Sequence, residues 1–132
     1  MTDMLHLNEF QAYLLAEDRS TVTIAGYLGD IRLFAQWYKG HYGEGLTPNA
    51  LTNEAVRGYK QYMLDQAAKP KTINRRLAAL AAYAHWLEQD GYVQNARNPV
   101  QGVKAVKETV LAPKWLDKKQ RSALLRAVDK EV

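Results

Sequence analysis

A chain of 132 residues, 47% hydrophobic and 24% charged, is globular in composition and sized for one ordinary core, or for a small domain plus the start of another. No apolar run approaches the roughly 18 residues of a membrane span. The acids of MTDMLHLNEF have the wrong sign for an export signal, and zero cysteines exclude disulfides and thiolate metal sites and fit a reducing cytoplasm.

Helical periodicity runs through nearly the whole chain without sustained period-2 alternation, so an all-α fold is expected. The first helix is predicted from about Leu5 to Glu17, with Leu7, Phe10, Leu14 and Leu15 apolar, and Asp18-Arg19-Ser20 ends it. Ser20 then caps a longer helix to about Lys39, whose Ile24, Tyr27, Leu28, Ile31, Phe34, Ala35 and Tyr38 recur at three and four as a core stripe. Leu33 and Trp37 on its other side predict contact on two faces, and Gly26 and Gly29 would permit close approach by a neighbour. GHYGEGLTP reads as a loop. Thr52 caps a third helix carrying Val56, Tyr59, Met63 and Leu64. After a short connection, Ala67 to Lys69, Pro70 opens a fourth helix that runs to about Asp90 and closes at Gly91. The result is a four-helix bundle over residues 1–95. Residues 96–116, rich in proline, glycine, valine and lysine, have the composition of an extended linker. Asp117 and Gln120 of DKKQ form a capping box for a last helix, with Leu124, Leu125 and Val128 apolar. Residues 117–132 are thus expected to be the first helix of a truncated second domain.

The charge is asymmetric. Residues 1–66 hold five Lys/Arg against eight Asp/Glu, net −3, whereas 67–132 hold thirteen against six, net +7. Such a half suits a polyanionic partner, most often nucleic acid; a lysine-rich solvated surface is the bland alternative. The cations concentrate in KPKTINRRLAAL. On a helical wheel Leu77, Leu80, Ala84 and Leu87 all fall within about 40 degrees of Ile73. Lys71, Arg75, Ala78 and Ala82 lie near the opposite pole, with Asn74 and His85 on its flank and no acid before Glu88. Short side chains behind the cations suit a helix entering a B-DNA major groove about 12 Å wide. Lys69, Lys71 and Thr72 sit at the helix start, where free N–H groups and the positive dipole end favour an anion. Ser20, Thr21 and Thr23 offer three hydroxyls at the second helix start, and capping there is compatible with phosphate contact.

Nothing suggests independent chemistry. His6, His41 and His85 are isolated and lack metal-ligand spacing, and no catalytic triad, phosphate-cradling glycine loop or dinucleotide fingerprint occurs. No cofactor or metal is expected. Tyr27, Tyr59 and Tyr83 lie on helical core faces without a cationic pocket.

The ordered set S-x-x-T-I-x-x-Y (Ser20, Thr23, Ile24, Tyr27), D-I-x-x-F-x-x-W (Asp30 to Trp37), T-I-N-R-R-L-x-A-L (Thr72 to Leu80), W-L (Trp86, Leu87), N-P (Asn98, Pro99) and P-K-W-L-D (Pro113 to Asp117) resembles the N-terminal core-binding, SAM-like domain of tyrosine recombinases, the phage-integrase family. The likeness covers about residues 5 to 130. It implies a helical bundle forming one jaw of a clamp on duplex DNA beside the cleavage site, with the second and fourth helices across the major groove. By motif position it puts Ser20, Thr23, Tyr27, Lys71, Thr72, Asn74, Arg75 and Arg76 at or near DNA. It implies other protomers as partners, since the family works as tetramers on paired sites, and DNA integration or recombination in the cytoplasm as the process. The family's catalytic residues belong to its second domain, so this chain is expected to lack them and not to be an enzyme by itself. Two positions depart from the pattern: Ala81 stands where the family often has Arg, and Lys69 where a Ser cap is usual. The alternative is a helical protein-interaction module presenting Trp37, Trp86 and Trp115. A helix-turn-helix regulator is disfavoured because the two helix starts are about fifty residues apart.

Overall fold

Asp18 at φ 59 turns the chain out of its first helix, and the same closure recurs twice. In each case the left-handed residue lets the next N–H reach five residues back: Arg19 to the Leu14 oxygen, Ala68 to Met63 and Tyr92 to Leu87, at 2.9–3.1 Å. A computed structural model describes residues 5–93 and 98–107, and these three closures divide it. The helices are α1 (Leu7–Ala16), α2 (Thr21–Tyr42), α3 (Asn53–Asp65) and α4 (Pro70–Gln89), with a 3-10 turn at Pro48–Ala50. No strand occurs among the described residues, so the fold is all-α. The expected last helix at 117–132 lies outside them.

The predicted starts are found. Ser20 Oγ accepts from the Thr23 N–H at 3.1 Å, Thr52 Oγ1 from Ala55 at 3.2 Å, and Pro70 occupies the first turn of α4. Gly91, at φ 79, and Asp18 suit left-handed backbone, but the third closure uses Ala67 at φ 56. An L-residue with a Cβ pays about 1–2 kcal/mol there, which glycine avoids at a smaller entropic cost. Ala67→Gly should therefore stabilise the domain by about 0.5–1 kcal/mol, a rise in Tm of about 2–6 °C by calorimetry. A fall would mean the closure is not left-handed in solution.

α2 packs on all three other helices, and most extensively on its central partner α4, which packs on α3 as well. All five residues of the predicted α4 stripe are buried, and so are Ala79, Tyr83 and Trp86. The buried arc is wider than one stripe because α1 covers a second side of α4: Phe10 meets Tyr83 edge-on and tilts against Trp86, both at 5.3 Å between centroids. Trp86 is therefore a core residue and not part of a docking surface. Leu15 and Leu64, expected inside, are more than 40% exposed, each on the outer edge of its helix.

α2 is longer than expected. The segment predicted as loop from Gly40 continues helical to Tyr42 because His41 stacks on Trp37 at 4.9 Å and Tyr42 packs on Tyr38 at 4.5 Å. These contacts, one turn apart, offset the weak propensity of Gly40 until Gly43, at φ 76, ends the helix. Gly26 and Gly29 admit no close neighbour. The close approach is at Gly58 of α3, where a Cβ would stand 3.2 Å from the Trp37 ring. Trp37 thus makes the second contacted face of α2, against Tyr59 and Tyr62.

A candidate nucleic-acid interface on α4

The first turn of α4 has no side-chain cap. Lys69 precedes the helix with its carbonyl accepting from the Ile73 N–H at 3.0 Å but its side chain capping nothing, and Pro70 has no N–H. The amides of Lys71 and Thr72 are therefore orphan donors by position, beside two ammonium groups. At the start of α2, by contrast, Ser20 accepts from the Thr23 N–H and donates its own proton to Thr23 Oγ1 at 2.9 Å. Thr21 and Val22 supply the remaining first-turn amides. Ser20 and Thr21 are exposed, whereas Thr23 and Tyr27 are half-buried.

The two starts do not form one cluster. Tyr27 lines a surface basin with Ala81, Ala82 and His85, yet Asp30, less than a turn later, meets Arg75. Hence α2 and α4 run in opposite senses. From Ser20 to Tyr27 along α2 and from Ala82 back to Lys71 along α4 is roughly 25 Å at 1.5 Å per residue.

Between them, α4 exposes Lys71, Arg75, Ala78 and His85 along a strip. Both edges of the strip are occupied. On the α2 side the Arg75 guanidinium forks onto the Asp30 carboxylate, Nε to Oδ2 at 3.2 Å and Nη2 to Oδ1 at 3.1 Å. The Asp30 side chain is 4% exposed and that of Arg75 58%. Arg76 turns inward: its Nε lies 4.0 Å from Asp30 Oδ1 and is buried without a hydrogen-bond partner. Burial raises the Tyr59 phenol above its ordinary value, with nearby Arg76 opposing the shift, so Tyr59 is a neutral core phenol.

On the other edge lies a segment within the span read as extended linker. Residues 98–103 make two successive turns, with Pro99 in the first and Gly102 at φ 84 in the second. Residues 98–107 then follow the groove between α3 and α4. Asn98 donates to the Ala81 oxygen at 3.1 Å and accepts from the Val100 N–H at 2.9 Å. Asn53 of α3 donates to the oxygens of Pro99 and Gln101, and Lys60 to that of Lys104. Asn74 pairs with Val106 on both sides, Nδ2 to its oxygen at 2.8 Å and Oδ1 from its N–H at 2.7 Å. The Asn74 amide is thereby engaged by the chain itself.

Of the sequence-selected residues, Lys69, Lys71, Thr72, Asn74, Arg75 and Arg76 therefore share one end of α4, with only Lys69, Lys71 and Arg75 exposed. Ser20, Thr21, Thr23 and Tyr27 lie toward the far end of the pair. Missed were Asp30 as a buried counter-ion and Asn53, Lys60 and Asn98 as anchors. A lone acid beside the Ile31 and Phe34 stripe was the available signal for the first. For the anchors only Asn-Pro, a turn-forming pair, gave one. Among the described residues no group of side chains is arranged to hold a metal ion, and no helix is long and apolar enough to cross a membrane.

Residues 7–91 match the family model described as phage integrase, N-terminal SAM-like domain. The chain is 30% identical over 88 residues to a TnP I resolvase of Bacillus thuringiensis, covering 66% of this chain and 30% of that protein. It is 26% identical over 125 residues to the tyrosine recombinase XerC of Chromobacterium violaceum, covering 95% of this chain and 40% of that protein. The chain thus spans well under half the length of either relative. No solved structure matches significantly.

Proposed function

The chain belongs to the family of phage integrase N-terminal SAM-like domains, and on that premise we propose that it grips duplex DNA as the core-binding domain of a site-specific tyrosine recombinase. The observation that carries this reading is the exposed strip of α4. It joins an uncapped helix start to Lys71, Arg75 and a run of short side chains, without an acid before Glu88. Lys69, Lys71 and the free amides behind them suit a phosphate, and Ala78 and Ala82 leave room for the groove wall. The start of α2, with Ser20, Thr21, Thr23 and nearby Tyr27, would reach a separate phosphate stretch about seven nucleotides away, given 3.4 Å per nucleotide. In this reading the domain holds the site while strand cleavage belongs to another domain of a cytoplasmic recombinase acting as a tetramer on paired sites.

The test is the salt dependence of duplex binding. Log K should fall by about 0.9 per phosphate neutralised for each unit of log[salt]. The double variant Lys71→Ala, Arg75→Ala should flatten that slope by about 1 to 1.5, less than two full contacts because Arg75 shares its charge with Asp30. Affinity insensitive to salt or to these substitutions would sink the reading. The interaction module would then lead, on the α2–α3 face where exposed Tyr42 and Tyr62 surround Trp37.

A further inference from the structure

The segment 98–107 carries Lys104 and Lys107, no acid, and three valines at a spacing of three. Val100, Val103 and Val106 are each half-buried against the core, so every third side chain faces the bundle. That period leaves Lys104 and Lys107 exposed. The main chain is fixed by side chains of the bundle: Asn53 and Lys60 from α3, Asn74 from α4. Asn74 is the strongest of these anchors, because its amide satisfies both the donor and the acceptor of Val106, as a neighbouring strand would. Lys107 follows directly on Val106, whose backbone is held by Asn74, one residue before Arg75 on α4. On the other side of the segment, Lys104 lines a cleft with Arg57, Lys60 and Gln61 that contains no acid. Acids stand only further along α3, at Glu54 and at Asp65, the latter accepting from Gln61.

We propose that residues 98–107 are a docked rim of the nucleic-acid surface, continuing the cationic strip from α4 across to α3, and that Asn74 is a positioning residue for that rim and not a base reader. The inference rests on the DNA-gripping reading above and extends it to Lys104 and Lys107, which bind phosphate only while Asn74 holds the segment down. A free ten-residue segment would lose side-chain and backbone freedom on each binding event, whereas the docked one has already lost it.

The experiment uses the whole chain, with hydrogen exchange for the docking and salt-dependent binding of a duplex for the function. In the parent protein the Val106 amide should be protected, and Asn74→Ala should speed its exchange at least tenfold while amides inside α2 and α4 keep theirs, which shows that the bundle remains folded. Lys104→Ala with Lys107→Ala should lower the salt slope by about 1 to 2. Asn74→Ala should lower it by a similar amount, and adding it to the lysine pair should change nothing further. An unprotected Val106 amide, a slope unaffected by the lysine pair, or additive losses would each overturn the proposal. So would Asn74→Ala shifting base preference with the slope intact, which marks a base reader. If the parent protein fails to bind duplex DNA, the gripping reading falls and this extension with it; if it binds and only the lysine and Asn74 results fail, the gripping reading stands alone.

Discussion

Trp86→Ala should be the most damaging single truncation in the bundle, costing about 3–5 kcal/mol of folding free energy. The indole is 1% exposed and sits among Phe10, Tyr13, Tyr83 and Tyr92, with ring centroids 5.2–6.3 Å away. Replacing it removes the largest fully buried side chain and leaves a space that four rings on three different stretches of chain cannot all close. α1 is ten residues long and buries only Phe10 and Leu14 fully, so it depends on this cluster more than any other helix does. A helix of that length has no stability of its own in water. Domains of this size are held by about 5–15 kcal/mol in total, so the midpoint should fall by about 15–30 °C, read by circular dichroism. Trp86→Phe, which keeps a ring, should recover more than half of the loss. A cost below about 1 kcal/mol would show that α1 does not dock on α4 as described.

Trp86 also shows where sequence reading stops. The stripe of Ile73, Leu77, Leu80, Ala84 and Leu87 is visible because one packing partner produces one period, and all five residues are buried. A central helix with partners on two sides breaks that period: Ala79, Tyr83 and Trp86 fall off the stripe and are equally buried. Caps and left-handed closures at Ser20, Thr52, Pro70 and Gly91 were legible because each is decided within four or five residues. The end of α2 was not. Three glycines in seven residues argue for a loop, and only the stacking of His41 on Trp37 and of Tyr42 on Tyr38 reverses that local preference. The basic end of α4 was found from charge and wheel position alone. What its neighbours do with it was not legible, because Asn74 to Val106 and Arg75 to Asp30 are separated by 32 and 45 residues, and no spacing rule reaches that far.

Asp30→Ala should be the second large loss, about 2–4 kcal/mol, and the reason is what it leaves behind. Removing one member of a buried ion pair costs about 3–5 kcal/mol when the partner cannot reach water. Here the two partners differ. Arg75 is mostly exposed and water can take over its guanidinium, so its share is that of a surface pair, under about 1 kcal/mol. Arg76, with a side chain only 25% exposed, is rescued less readily. Its Nε is already buried without a hydrogen bond, and Asp30 is the acid facing it at 4.0 Å. Most of the cost should therefore travel through Arg76. A double-mutant cycle separates the two routes. In an Arg76→Met background, where the charge is gone and the stem still packs, Asp30→Ala should cost about 1–2 kcal/mol less than in the parent. In an Arg75→Ala background its cost should change by less than about 1 kcal/mol. Equal coupling to both arginines would mean that Asp30 serves Arg75 after all, as a support for a residue of the exposed strip. Arg75→Lys then decides whether the fork itself matters. Lysine keeps the charge but cannot span both carboxylate oxygens, so a lysine variant that binds duplex DNA with the parent's salt slope would show that only the charge at position 75 is used.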